Sequence, residues 1–168
     1  MELFFMRHAE AESRDLYPDD RQRPLTERGR QQQERVVSAL VPLLQPLHYL
    51  LSSPLRRARQ TADIVTTVVH GSPAVEETSV LAGDYTLGTV LDLLQRYPRD
   101  ARILCVGHEP HMSKLSAVFL DGEGRSTIAF QAGAVLGLTF SGPPTPGRGT
   151  LRFFLRPADA LLLPGVMG

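Results

Sequence analysis

A chain of 168 residues, 42% hydrophobic and 21% charged, has the size and balance of one globular domain, large enough to bury a core without a disulfide or a structural metal. Its 18 basic and 18 acidic residues cancel, which excludes the overall basic footprint of a nucleic-acid or anionic-membrane binder. The single cysteine, Cys105, excludes an internal disulfide, and no apolar run approaches the roughly 18 residues of a membrane span.

Leu3–Met6 is a short apolar run that stops at the charged pair Arg7-His8, the pattern of a buried strand reaching a sheet edge. Too short for a signal-peptide core and preceded by Glu2, it leaves a soluble cytoplasmic protein as the expectation. Residues 9–24 are polar, carry Pro18 and Pro24, and read as a loop. Thr26 is placed to cap a helix running to about Leu40 and stopped near Pro42. Tyr49–Leu51 is a second short strand. Ser53-Pro54 reads as an N-cap followed by proline at the first helical position. The helix it opens carries an apolar stripe at Leu55, Ala58, Ala62, Val65 and Val69.

After the turn Gly71-Ser72-Pro73, Ala74–Glu77 has the make-up of a short strand. Residues 86–96 repeat a helical pattern (Leu87, Val90, Leu91, Leu94) that Pro98 ends. Ile103–Val106 is the clearest strand, buried Cys105 within it, and Gly107-His108 closes it. A helix over 111–120 follows. Val135–Phe140 and Leu151–Leu155 read as two strands joined by the Gly/Pro-rich segment 141–149, a mobile loop by composition, and a short apolar tail follows Pro157.

Strands alternating with helices predict a single α/β domain over residues 1–168, a three-layer sandwich with a mostly parallel central sheet, helices on both faces and an antiparallel edge strand. Ligands of such sheets sit beyond the carboxyl ends of the strands. Arg7-His8, Ser52-Ser53 and Gly107-His108 each lie just past a predicted strand, so one rim is the expected site. Arg56, Arg57 and Arg59 fall in the first turn of the helix after Ser53, where the helix dipole disfavours cations and an anion would relieve them. Two histidines and two arginines at neighbouring strand ends make a positive pocket of phosphoryl size. Zinc is the rival use of His8, His108 and His111, but HxH, HExxH and cysteine-pair spacings are absent, Pro110 breaks the 108/111 pair, and Arg7 would repel a cation. The site reading is therefore metal-free.

These residues resemble the histidine phosphatase superfamily, which includes the cofactor-dependent phosphoglycerate mutases. Met6-Arg7-His8-Ala9-Glu10-Ala11 is similar to its Arg-His-Gly signature, with Ala9 in place of Gly. Pro24-Leu25-Thr26-Glu27-Arg28-Gly29 is similar to its Leu-Thr-x-x-Gly segment, Ser53 to Thr61 to its Ser-x-x-x-Arg-Ala-x-x-Thr helix start, and Val106-Gly107-His108 to its second-histidine motif. Each motif is weak alone; four in the right order across the first 120 or so residues are specific. Within the family the chain most resembles the SixA-type phosphohistidine phosphatases, by its short Arg-His-Ala-Glu-Ala form, the tail Leu155-Arg156-Pro157 and the lack of a long insertion. The stretch Ala11-Glu12-Ser13-Arg14 also lacks the Asn that mutases and sugar bisphosphatases carry there.

The resemblance implies a phosphoglycerate mutase-like fold, no cofactor, His8 as nucleophile, and Arg7, Arg57 and His108 as the phosphate pocket. The family's acidic proton donor has no clean match; Glu77, Asp84 and Asp20 are candidates, with Asp84 favoured because Ala82-Gly83-Asp84 interrupts the helical pattern. The expected function is hydrolysis of phosphohistidine on a partner protein through phospho-His8. The alternatives are a small-molecule phosphomonoesterase acting on sugar or nucleotide phosphates, and a non-catalytic phosphate-binding module. Neither nucleic acid nor membrane is an expected partner.

Overall fold

The computed structural model describes residues 1–83, 85–160 and 162–163. Six strands form one sheet: β1 (Glu2–Arg7), β2 (Tyr49–Ser52), β3 (Val75–Glu77), β4 (Arg102–Gly107), β5 (Val135–Thr139) and β6 (Thr150–Leu155). Their spatial order is β3-β2-β4-β1-β5-β6. The first four run parallel; β5 runs against β1 and β6 against β5, so the expected antiparallel edge is present. Among the described residues five α-helices accompany the sheet: α1 (Glu27–Leu44), α2 (Arg56–Val68), α3 (Leu87–Leu94), α4 (His111–Asp121) and α5 (Pro157–Ala160).

The strands alternate their apolar side chains between two cores, as a period of two requires. Phe4, Met6, Leu104 and Val106 pack against α1, α2 and α5, while Leu3, Phe5, Ile103 and Cys105 pack against α3 and α4. Helices therefore cover both faces. Cys105 is fully buried, and desolvation pushes its thiol up to about 12, so it is inert packing.

Several details differ from expectation. Helix α1 runs through Pro42 to Leu44. The proline costs the bond that Ser38 C=O would have accepted, but Ser38 and Pro42 both face solvent, while Leu40 and Leu44 are buried on the other side and hold the last turn. Helix α2 starts two residues late: Leu55 C=O accepts the first helical bonds from Ala58 and Arg59, and Ser53 is not its N-cap. The 141–149 segment is not a free loop, because Gly147 N–H donates to Val118 O and Gly149 N–H to Phe119 O, tying it to the end of α4. The 9–24 segment contains two short 3-10 turns, Arg14–Leu16 and Asp20–Gln22.

The Leu-Thr-x-x-Gly segment has a mechanical role. Thr26 accepts Gly29 N–H at 2.9 Å, and Thr26 N–H donates to Glu10 O at 3.0 Å, which docks the start of α1 on the chain just after His8. Gly29 lies so close to Glu10 that a Cβ would overlap its carbonyl oxygen. Gly29→Ala is therefore expected to lower stability by about 1–3 kcal/mol, the usual penalty of overpacking against backbone, read as the midpoint shift in urea unfolding. An unchanged midpoint would contradict the close approach.

Candidate active site

Strands β2, β4 and β1 are neighbours in register, Ser52 opposite Val106 and Gly107 opposite Arg7, so their carboxyl ends open on one rim. His8 N–H donates to Gly107 O at 3.0 Å and Ser53 N–H to Val106 O at 3.0 Å, which carries the sheet alignment into the loops. Thr61 in α2 accepts Ala9 N–H at 3.1 Å while donating to Arg57 O at 2.7 Å, locking the helix to the residue after His8. The sequence marks Thr61 only as a motif position; its role needs the fold.

The structure brings His8, Arg57 and His108 together, all less than 10% exposed. His8 Nδ1 is 2.8 Å from the Ala9 carbonyl, which can only accept, so Nδ1 carries the proton and Nε2 keeps its lone pair. Arg57 Nε donates to that Nε2 at 3.2 Å. The His8 and His108 ring centroids are 5.1 Å apart. Arg7 Nη1 donates to Phe130 O at 2.7 Å, while its buried Nε has no hydrogen-bond partner among the described residues. His108 Nε2 lies 2.7 Å from Ser53 Oγ, and its buried Nδ1 has no partner among the described residues. Two orphaned buried nitrogens beside a guanidinium cluster suit an anion.

Electrostatics favour neutral rings. The His8 pKa is lowered to about 3, first by burial, then by His108, Arg57 and Arg7, with the Ala9 carbonyl opposing. Adjacent Arg7 is the weakest of these influences, so burial, rather than the neighbour in sequence, keeps the lone pair available. His108 is lowered to about 3 by burial, Arg57 and His111. His108 is thus neutral in the open pocket, and a phosphoryl dianion would have to supply the charge that holds a proton on it.

The candidate proton donors separate. Glu77, half-exposed on β3, is held by Arg59 at 3.0 Å. Asp84 lies outside the described residues. Asp20 enters the pocket: its carboxylate is 3.1 Å from Arg57 Nη2 and 2.8 Å from Arg23 Nε, and its carbonyl accepts Arg57 Nη1 at 2.8 Å. Nothing in the polar run around Asp20 distinguishes it from Asp15 or Asp19 by sequence. Arg56 points outward to Gln22 O at 3.3 Å, and Arg59 is paired with Asp63 and Glu77. Among the described residues no three His, Cys, Asp or Glu side chains group as metal ligands, and no helix is long and apolar enough to cross a membrane.

The sequence profile of the histidine phosphatase superfamily (branch 1) matches residues 3–81, the part that carries Arg7, His8 and Arg57. A solved structure of the protein histidine phosphatase SixA complexed with tungstate is 25% identical, with a TM-score of 0.80 over 95% of this chain and 99% of that one. A phosphoserine phosphatase from Entamoeba histolytica, in complex with 3-phosphoglyceric acid, has a TM-score of 0.66 over 91% of this chain and 95% of that one; at 19% identity the likeness shows the fold alone. An uncharacterized protein of Picosynechococcus sp. is 31% identical over 98% of this chain and 100% of its own length. With that end-to-end relative and a profile match on the segment that builds the pocket, the chain belongs to the histidine phosphatase superfamily.

Proposed function

We propose that the protein is a metal-independent phosphohistidine phosphatase that hydrolyses phosphohistidine on a partner protein through a phospho-His8 intermediate. The observation that carries the reading is the state of His8: Nδ1–H fixed on the Ala9 carbonyl, Nε2 unprotonated and turned to Arg57. His8 Nε2 attacks phosphorus in line; the N–P bond to His8 forms as the bond to the leaving nitrogen breaks. Arg7, Arg57 and His108 stabilise the charge that spreads over the equatorial oxygens, with His108 taking its proton as the dianion binds. Water then attacks phospho-His8 and releases phosphate.

The substrate class follows from the leaving group. With a proton on the other nitrogen of the substrate's ring, the P–N bond breaks to release neutral imidazole, whose conjugate-acid pKa is ~6.5, so it depends far less on a placed acid than an alkoxide does. Among the described carboxylates only Asp20 touches the pocket, and its pKa is lowered, with burial opposing Arg23 and Arg57, which leaves it a poor donor as it stands. The likeness to the SixA structure supports the same class. The protein belongs by this reading in the cytoplasm, among histidine-phosphorylated proteins. The test is turnover of a histidine-phosphorylated protein against a panel of sugar and nucleotide phosphates, with preference for the protein expected. A sugar or nucleotide phosphate turned over faster would assign the small-molecule alternative, and no turnover of either, with phosphate still bound, a binding module.

Charge stabilisation by guanidinium and imidazole also sets the expected metal dependence. Turnover should be unchanged in excess EDTA, measured with an aryl phosphate after prolonged dialysis. Loss of activity that zinc or magnesium restored would overturn the mechanism.

A further inference from the structure

Each of the three Arg57 nitrogens is already engaged, through three of its five N–H groups. Its Nε faces His8 Nε2 at 3.2 Å, its Nη1 donates to Asp20 O at 2.8 Å, and its Nη2 meets the Asp20 carboxylate at 3.1 Å. A carboxylate on a guanidinium is the nearest side-chain equivalent of a phosphoryl group on the same fork. The residue that supplies it sits on the short Asp20–Gln22 turn, in the segment that joins β1 to α1. The turn is anchored at its other end: Arg23 Nε holds the second carboxylate oxygen at 2.8 Å while Arg23 Nη1 donates to Glu12 O at 3.1 Å. Asp20 can therefore release Arg57 and keep an ion-pair partner.

Resting on the phosphatase reading, we propose that Asp20 is a specificity-determining residue: its carboxylate occupies Arg57 in competition with the phosphoryl group and so discriminates against free inorganic anions. A free phosphate ion must displace Asp20 with its own few contacts. A phosphoryl group on a protein arrives with the contacts of its carrier, which offset the displacement. Asp20 thereby keeps the pocket from filling with the phosphate the reaction releases. The alternative for a carboxylate in this position is to orient Arg57 for binding, and the two roles predict opposite signs.

The experiment measures inorganic phosphate and tungstate affinity by calorimetry for wild type, Asp20→Asn and Asp20→Ala, with Arg57→Ala as the reference for loss of the site. Asn keeps the shape without the charge, Ala removes both, and thermal melts report whether each variant is folded. Both variants are expected to bind either anion about tenfold or more tightly than wild type, the order expected for removing a like charge a few ångströms away in a partly buried site. The KM for a small aryl phosphate should fall with it, and more than the KM for a phosphorylated protein. Anion binding that is unchanged or weaker in the variants, while wild type binds and Arg57→Ala does not, would overturn the competition and leave the phosphatase site standing. Absence of binding to wild type and variants alike would overturn both.

Discussion

His8→Ala is expected to abolish turnover and, with it, all covalent phosphate trapped during the reaction. The expectation rests on the division of labour within the pocket. His8 alone has one nitrogen committed to a backbone carbonyl and the other unprotonated toward the guanidinium, whereas His108 is engaged at Nε2 with Ser53 Oγ. With its pKa near 3, His8 is neutral throughout the neutral and mildly acidic range, so its lone pair is not limiting there. The intermediate of the proposed mechanism is a phosphoramidate, which acid destroys and alkali preserves. Trapping therefore requires alkaline denaturation followed by peptide mass mapping. Label on the peptide that holds His8, absent from His8→Ala, is the expected result. His108→Ala should slow formation of the label without moving it. Phosphate on His108 or on a serine, or near-normal turnover by His8→Ala, would remove His8 from the role of nucleophile.

The second large effect belongs to Arg57. Arg57→Ala removes a buried guanidinium that touches His8 directly and should lower kcat/KM for an aryl phosphate by about 10²–10³, the usual consequence of deleting one transition-state donor. Its sequence neighbour provides the control. Arg56 is exposed and reaches only Gln22 O at 3.3 Å, so Arg56→Ala should leave kcat/KM near wild type. Arg57→Lys should recover little, because a point charge cannot offer an oxyanion the paired donors of the planar fork. Equal, small losses at both positions would mean that α2 presents a different face to the rim.

Both predictions use residues that the sequence already marks, and the reason is local. Arg7, His8 and His108 follow short apolar runs, and a buried strand that ends at a charged or hinged residue announces both the strand and the rim. The helix register that separates Arg57 from Arg56 is set by Ala58 and Ala62, whose burial is visible in their spacing. What the sequence conceals is what depends on contacts across the fold. Ser53 looks like a helix cap and instead meets His108, 55 residues away. Pro42 looks like a stop and is tolerated, because the carbonyl it orphans faces water. Asp20, 37 residues before Arg57, is one acid among several until the 9–24 segment folds back over α2. Burial, which does most to lower the His8 pKa, has no signature in the Arg7-His8 pair itself.

The order of the strands bears on the birth of the site. β1 lies in the middle of the sheet, yet Leu3 pairs with Ile103 on one side and with Leu138 on the other. At roughly 5–20 residues per second of synthesis, the strand that leads into His8 spends on the order of ten seconds outside the ribosome before either neighbour exists. For that interval Leu3–Met6, fully buried in the finished protein, has no sheet to join. The proposed nucleophile is thus among the first residues made and among the last to be placed, and its pocket closes only when β4 and then β5 have been delivered. A ribosome stalled before β4 should carry a chain whose first strand is still open to chaperones and proteases.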